Sequence, residues 1–462
     1  MSESLPALID THAHLDSGQY REDLNEVLQR ASDAAIQHII TIGCDLDSSR
    51  TSVELARSNS RLSAAVGIHP HDAVTVNDHA VDQLRQLAQE DAVVAIGEIG
   101  LDYYRDRSPR DVQREAFRAQ LRLAKEMGLP VIIHDRDAHE DVVSILREEK
   151  IGEIGGVMHC FSGDADLART CVELGLHISF AGPLTYPKNE ALRQAARAVP
   201  TEFLLVETDC PYLSPQPWRG KRNEPARVRA TAETLAEVRG LTVADIARIT
   251  NLNAFRLFGI GEVDQSVRIA YVIRNALYLN ITNRCTNRCR FCAKFRDFQV
   301  KGHQLRLDRE PDFDEVMAAI GDATGYDEVV FCGYGEPLLR LDLVKQVASR
   351  LKQQGIRVRI NTDGQANLVH GRNILPELQG LVDAVSVSLN APDAATYQQW
   401  CQSDLGEAGF EAIKDFLRQA PDFIPEVTAS AVTLPGLDID ACRRLAASLG
   451  VRFREREYNE LG

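Results

Sequence analysis

Residues 93–134, VVAIGEIGLDYYRDRSPRDVQREAFRAQLRLAKEMGLPVIIH, hold a complete strand–helix–strand unit. VVAIGE (93–98) and PVIIH (130–134) are short apolar runs rich in Val and Ile, the pattern of strands buried on both faces. Between them Val112, Ala116, Phe117, Leu121 and Ala124 give RDVQREAFRAQLRLAKEMG one apolar face. Gly128 stands where a helix is capped, and Pro130 follows it. Strands joined through a helix pair in parallel. Glu98 ends the first strand and His134 the second.

The same alternation extends both ways. ALID (7–10), HIITIG (38–43), SAAVG (63–67), GGVMH (155–159), HISFAG (177–182) and FLLVETD (203–209) complete a set of eight expected strands. Eight strand–helix repeats over residues 1–260 predict a (β/α)8 TIM-type barrel. The polar GEVDQS (261–266) opens a link expected to run to residue 274. From 275 to 462 six further strands are expected: YLNIT (278–282), EVVFCG (328–333), RVRIN (357–361), AVSVS (384–388), EVTASAV (426–432) and VRFRE (451–455). Six predict a partial (β/α)6 barrel, so the whole chain reads as an α/β protein of two domains.

Bulk properties agree. A chain of 462 residues exceeds one ordinary core. No apolar run is long enough to span a bilayer, which excludes a membrane partner. MSESLPALIDTHAHLD has neither the basic nor the apolar region of an export signal, so the expected location is cytoplasmic. The net charge of −15 argues against a broad nucleic-acid-binding face, though not against a nucleic acid held locally through metal ions. Seven of the ten cysteines are scattered, which is no disulfide framework.

The histidines and acids cluster at strand ends. His12 and His14 follow the first strand, His69 and His71 the third, and Glu98, His134, His159 and Asp209 end the fourth, fifth, sixth and eighth. In a parallel barrel these ends share one face, so imidazole and carboxylate donors suited to divalent metals converge there. A carboxylate on a middle strand, such as Glu98, can bridge two ions, and two ions can clamp a phosphodiester for hydrolysis. The spacing of His12 and His14 puts both imidazoles on one side of an extended chain. For His69 and His71, ligation, substrate contact and a structural role stay open. Glu207 is a supporting residue, a further ligand or an interior carboxylate. His38 and His177 begin strands and read as packing residues. Arg219, Lys221 and Arg222, with Trp218, form a basic loop after the last strand that either grips a phosphate backbone or is merely solvated.

THAHLD, GIHPH, GEIGLDYY, VIIHDRDA, MHCFSG and ETDCPYLSP, in this order, closely resemble the TatD family of metal-dependent deoxyribonucleases in the amidohydrolase-like barrel group. The resemblance covers about residues 7–260. It implies divalent-metal-dependent (Mg, Mn or Zn) hydrolysis of DNA or another phosphodiester, typically from a 3′ end. It carries ligation by two or more ions onto His12, His14, Glu98, His134, His159 and Asp209, with Glu98 and Asp209 as catalytic carboxylates. Asp135 departs from the family's frequent serine and puts an extra negative charge beside the site.

RCTNRCRFC (284–292) crowds Cys285, Cys289 and Cys292 into one loop after a strand. A structural zinc site needs four ligands, and neither Cys332 nor His303 has a spacing that supplies the fourth. Thiolate ligation with three ligands suits an iron–sulfur cluster with one open iron. CGYGEP (332–337) ends the next strand. Its glycines, Gly333 and Gly335, would let a ligand approach the backbone, and Glu336 could receive an ammonium group. Together these motifs resemble the radical S-adenosylmethionine (SAM) superfamily over about residues 275–460. The resemblance implies one [4Fe–4S] cluster on the three cysteines, a reductant for it, and reductive cleavage of SAM to a 5′-deoxyadenosyl radical. Phe291, Gly333, Gly335, Glu336, Asn361 and Ser388 are the implied SAM contacts. The tail REYNELG leaves little material for a substrate-binding extension. The expected protein is a fusion of the two enzymes. The rival readings are an aminoacyl-tRNA ester hydrolase for the first half and a non-catalytic iron–sulfur redox module for the second.

Overall fold

A computed structural model describes residues 5–295 and 298–457; MSES and the end of the tail REYNELG, from residue 458, lie outside the described residues. The chain divides into two compact units, Met1–Asp264 and Gln265–Gly462.

In the first unit β1 (Leu8–Ala13), β2 (Ile36–Ile42), β3 (Leu62–Val66), β4 (Val93–Asp102), β5 (Val131–Arg136), β6 (Gly156–Met158), β7 (Leu176–Phe180) and β8 (Leu204–Val206) form one sheet in chain order. Neighbours are parallel throughout, and all eight expected strands are present. The sheet's two ends meet through side chains and backbone. Thr11 Oγ1 donates to the Val206 carbonyl (3.1 Å), the Thr208 amide to Asp10 Oδ1 (2.9 Å) and the Asp209 amide to the His12 carbonyl (2.9 Å). The result is a nearly closed barrel whose strand C-termini face one rim.

Its interior is filled by Ile9, Ile40, Ala65, Ala95, Ile132 and Leu205, with Phe258 and Ile260 beneath. The outer layer packs helices against the other strand face: Phe117, Leu121 and Ala124 of helix Arg110–Met127 are buried, and Gly128 caps it at φ 67°. Gly100 has a steric reason: a Cβ there would lie 2.0 Å from the His134 carbonyl oxygen. Its absence lets β4 run against β5 where Glu98 and Asp102 must sit beside His134. His38 hydrogen-bonds Ser63 Oγ at 2.9 Å, and His177 packs on Phe203; burial lowers both imidazoles to about 4, as suits packing residues.

The second unit has β9 (Ala270–Ile273), β10 (Ala276–Leu279), a short hairpin of β11 (Gln299–Val300) and β12 (His303–Gln304), then β13 (Glu328–Phe331), β14 (Val358–Thr362), β15 (Ala384–Ser388), β16 (Glu426–Thr433) and β17 (Arg452–Glu457). Its main sheet runs β17-β16-β15-β14-β13-β10-β9. The six expected strands are parallel, and β9 is an additional antiparallel one. It lies in the stretch read as link. The turn into β10 is only Arg274, at φ 55°, and Asn275, a two-residue polar break too short to stand out from the stretch read as link. Among the described residues no helix is long and apolar enough to cross a membrane.

Gly100→Ala is expected to lower the first unit's calorimetric transition by several degrees, about 2–3 kcal/mol of stability, because strained backbone and overlap add. An unchanged transition would show that the β4–β5 approach is not constrained there.

Candidate metal centre and cluster loop

At the barrel rim Glu98, only 3% exposed, lies among five imidazoles. Its Oε2 is 3.4 Å from His12 Nε2 and 3.6 Å from His14 Nε2. Its Oε1 is 2.6 Å from His134 Nδ1, 2.9 Å from His159 Nε2 and 3.4 Å from His69 Nε2. Asp209 Oδ1 joins the first set, 3.3 Å from His14 Nε2 and 3.8 Å from His12 Nε2. Donor atoms close enough to share one ion form four groups around this carboxylate: His12, His14 and Asp209; His14, Cys44 and Glu98; His69, Glu98 and His134; and His12, Glu98 and His159, which links the Oε2 side to the Oε1 side through the stacked His12 and His159 rings. The six residues expected from sequence converge, and His69 joins them.

Backbone and supporting side chains fix this arrangement. Asp209 sits in the left-handed region at φ 54°, which Asp tolerates better than most residues, and its amide is tied to β1. Glu207 Oε1 lies 3.1 Å from His159 Nδ1 and accepts from the Cys160 amide at 2.7 Å, so it orients the imidazole from behind. Asp102 does the same for two rings: Oδ2 is 3.3 Å from His134 Nε2 and 2.8 Å from His71 Nε2. His71 thus stands behind Asp102. Cys44 Sγ lies 3.7 Å from His14 Nδ1, behind that ring. Asp135 turns aside, 2.7 Å from His139 Nδ1, which balances the extra charge expected beside the site.

Asp102 was missed, although Glu98, Gly100 and Asp102 share one face of a strand by alternation. Around the rim, exposed Tyr212 packs edge-on to His14 and Arg219 lies over the Tyr186 ring. Lys221 is exposed, and Arg227 covers partly exposed Trp218. Arg222 is committed to Asp23, at 2.6 and 2.8 Å.

Electrostatics follow from burial and crowding. Burial alone would raise Glu98, but His159 and His69, with contacts from His12 and His134, hold it well below the carboxylate range. Burial would lower His14 and His159, yet Cys44 and Asp209 raise the first and Glu98 and Glu207 the second, well above the usual imidazole value. Burial takes His69 down to about 4. The buried His12 Nδ1 has no partner among the described residues. A cluster of ionised carboxylates and proton-holding imidazoles is what a divalent cation replaces on binding, so the donor set fits metal.

In the second unit the cysteine loop is strapped on several sides. The Arg288 and Arg290 amides donate to the Cys401 and Trp400 carbonyls, both at 2.9 Å, and Cys292 donates to the Cys289 carbonyl at 3.0 Å. Thr286 Oγ1 donates to Asp363. Asn287 Nδ2 donates to the Tyr397 hydroxyl (2.8 Å) and its Oδ1 accepts from Gln365 (2.9 Å) in a buried network. The three loop cysteines are partly buried and free. Among the described residues they do not form a group within single-ion distance. Three free thiols carried by one strapped loop are the donor chemistry that suits an iron–sulfur cluster. Cys289 has Cys401 as a neighbour, unsignalled in the sequence, while Cys332 faces Asn361 and His303 bonds the Val272 carbonyl.

A Cβ on Gly333 would fall 2.3 Å from Asn280 Oδ1, and one on Gly335 2.2 Å from the Thr282 carbonyl. The glycines thus admit the protein's own strand end. Glu336 accepts from the Leu338 amide (2.9 Å), Thr362 Oγ1 (2.9 Å) and the Asp363 amide (2.7 Å), which fixes the orientation of its carboxylate. Burial and neighbouring Asp363 raise it well above the usual range. Phe291 packs on the apolar core; Asn361 and Ser388 lie on β14 and β15.

Comparison with known proteins gives the same division. Residues 9–259 match the sequence model of the TatD related DNase family, and residues 279–449 that of the radical SAM superfamily. The uncharacterized metal-dependent hydrolase YabD of Bacillus subtilis is 46% identical over 253 residues, 55% of this chain and 99% of YabD. The 3′-5′ ssDNA/RNA exonuclease TatD of Shigella flexneri is 36% identical over 258 residues, 55% of this chain and 99% of that protein. Among solved structures, the TatD homologue YJJV of Escherichia coli superposes with a TM-score of 0.54 at 32% identity, covering 56% of this chain and all of YJJV.

Because His14 and His159 hold protons above the usual imidazole value, ions must displace them and affinity must rise with pH. Manganese titration calorimetry near neutral pH, in two buffers of different ionisation enthalpy, is expected to show proton release; none would contradict the assignment. Asp102→Asn is expected to weaken manganese binding about tenfold or more, by loosening His134.

Proposed function

The chain belongs to the TatD related DNase family, and from that premise we propose that its first unit removes nucleotides from the 3′ end of DNA using two divalent ions. The radical SAM domain that follows it in the chain, on the same proposal, cleaves SAM reductively. The observation that carries the first half is the division of labour at Glu98, whose two oxygens face separate histidine sets.

On this reading His12, His14 and Asp209 would hold one ion and His134, His159 and His69 the other, with Glu98 contributing to both. Ions so held supply Lewis acidity and an acidified water for phosphodiester hydrolysis. The chain contributes the rest. Glu207 and Asp102 keep the imidazoles oriented, and the buried site keeps Glu98 ionised. Exposed Tyr212 and Arg219 at the rim suit a stacked base and a phosphate. In the second unit Cys285, Cys289 and Cys292 would hold a [4Fe–4S] cluster, which supplies the electron for SAM cleavage. The strapped loop would keep them in place, and buried Glu336 and Asp363, fixed by their own hydrogen bonds, would offer polar contacts beside the cofactor.

The first half is tested on 3′-labelled single-stranded DNA: activity is expected to need Mg²⁺ or Mn²⁺ and to fall by about three orders of magnitude or more in Glu98→Ala. Undiminished cleavage by that variant, or faster hydrolysis of mischarged transfer RNA than of DNA, would sink the reading. The second half is tested by anaerobic cluster reconstitution with SAM and a strong reductant. 5′-Deoxyadenosine is expected; none from an intact cluster leaves a redox module.

A further inference from the structure

Alternation sorts the second unit's sheet into two faces. Val358, Ile360, Val385 and Val387 pack into the apolar core, so Arg359, Asn361, Ser386 and Ser388 line the opposite face. On the last strand Phe453 packs on the core, which puts Arg454 and Arg456 on that polar face; Arg456 is in register with Val432 at the strand's C-terminal end.

Two arginines there are satisfied very differently. Arg359 is neutralised: Nη2 is 2.8 Å from Glu328 Oε1, and Nη1 donates to Asn361 Oδ1 at 2.5 Å. Arg456 has no carboxylate partner among the described residues. Its Nη2 is 3.4 Å from Asn390 Oδ1, and its buried Nε meets no acceptor. Burial lowers its basicity and neighbouring Arg454 adds to this, while the thiols of Cys332 and of the cluster-loop residue Cys289 act the other way. Register with Val432 and the contact with Asn390, just past β15, put the guanidinium at the C-terminal ends of the strands, the end of the sheet where β10 leads into the cysteine loop. A partly buried, uncompensated cation is costly until an anion completes it. The planar guanidinium fork fits two oxygens of one carboxylate or phosphate.

We propose that Arg456 anchors an oxyanion, carboxylate or phosphate, of a molecule bound on the concave face beside the cysteine loop. The inference rests on reading this unit as SAM-binding. The same chemistry has two sources: the methionine carboxylate of SAM, or a phosphate on the molecule the unit acts upon.

The full chain is reconstituted with its cluster as wild type, Arg456→Gln and Arg456→Lys, and matched by iron content and absorption. Equilibrium dialysis measures labelled SAM, then labelled inorganic phosphate with SAM present. Phosphate bound at the first unit contributes equally to all three proteins and cancels. Arg456→Gln is expected to weaken one probe about tenfold or more, with Arg456→Lys intermediate because it keeps the charge and loses the fork. Loss for SAM identifies its carboxylate; loss for phosphate alone identifies an anionic substrate. Equal binding of both probes by all three proteins overturns the proposal. A wild-type protein that holds its cluster and binds no SAM refutes the SAM reading instead, and the phosphate comparison still decides the role of Arg456.

Discussion

The first unit depends on one buried carboxylate having two usable oxygens. Glu98 sits at the rim of β4, with neighbours on both sides along the sheet. Oε2 meets the donors from β1, and Oε1 those from β5 and the loops after β3 and β6. Much of the surrounding structure keeps that carboxylate ionised and those rings aimed. The contacts that close the barrel between β1 and β8 also deliver Asp209 to His14. Gly100 lets β4 approach β5 closely enough for His134 to reach it. Charge crowding of this kind is expensive in a low-dielectric interior. A site built at that cost, with its imidazoles backed by Glu207 and Asp102, is organised for cations before any arrive.

The second unit solves a different problem. Three cysteines on an irregular loop have no regular secondary structure to hold them, so their backbone is borrowed by neighbours: carbonyls of residues 400 and 401, the Asn287–Gln365–Tyr397 network and the Thr286–Asp363 bond. CGYGEP belongs to this scaffold. Its glycines fit against the end of β10, and Glu336 ties the end of β13 to that of β14. On the proposed reading, Arg456 adds a cationic group on the concave face of the same sheet.

Sequence made the strand-end ligands legible because two periodicities coincide there: alternation fixes which side chains face inward, and parallel topology brings the ends to one rim. His69 was ambiguous because it lies in a loop, where spacing carries no direction. Asp102 lies beyond the stretch read as β4, which runs longer than its apolar run. Asp135 misled because a charge in sequence says nothing of its partner, here His139 one helical turn on. The strand β9 was hidden by its two-residue turn. Cys401 had no signal at all, since contact with Cys289 is created only by the fold.

The proposed metal centre stands or falls on whether Glu98 couples two ions. Electron paramagnetic resonance of the manganese-loaded protein tests it most directly, with metal content measured alongside. Two ions per chain with an exchange-coupled spectrum, and loss of that coupling in Glu98→Gln, are the predicted result. A single ion per chain, or two magnetically independent ions unaffected by the substitution, would contradict it.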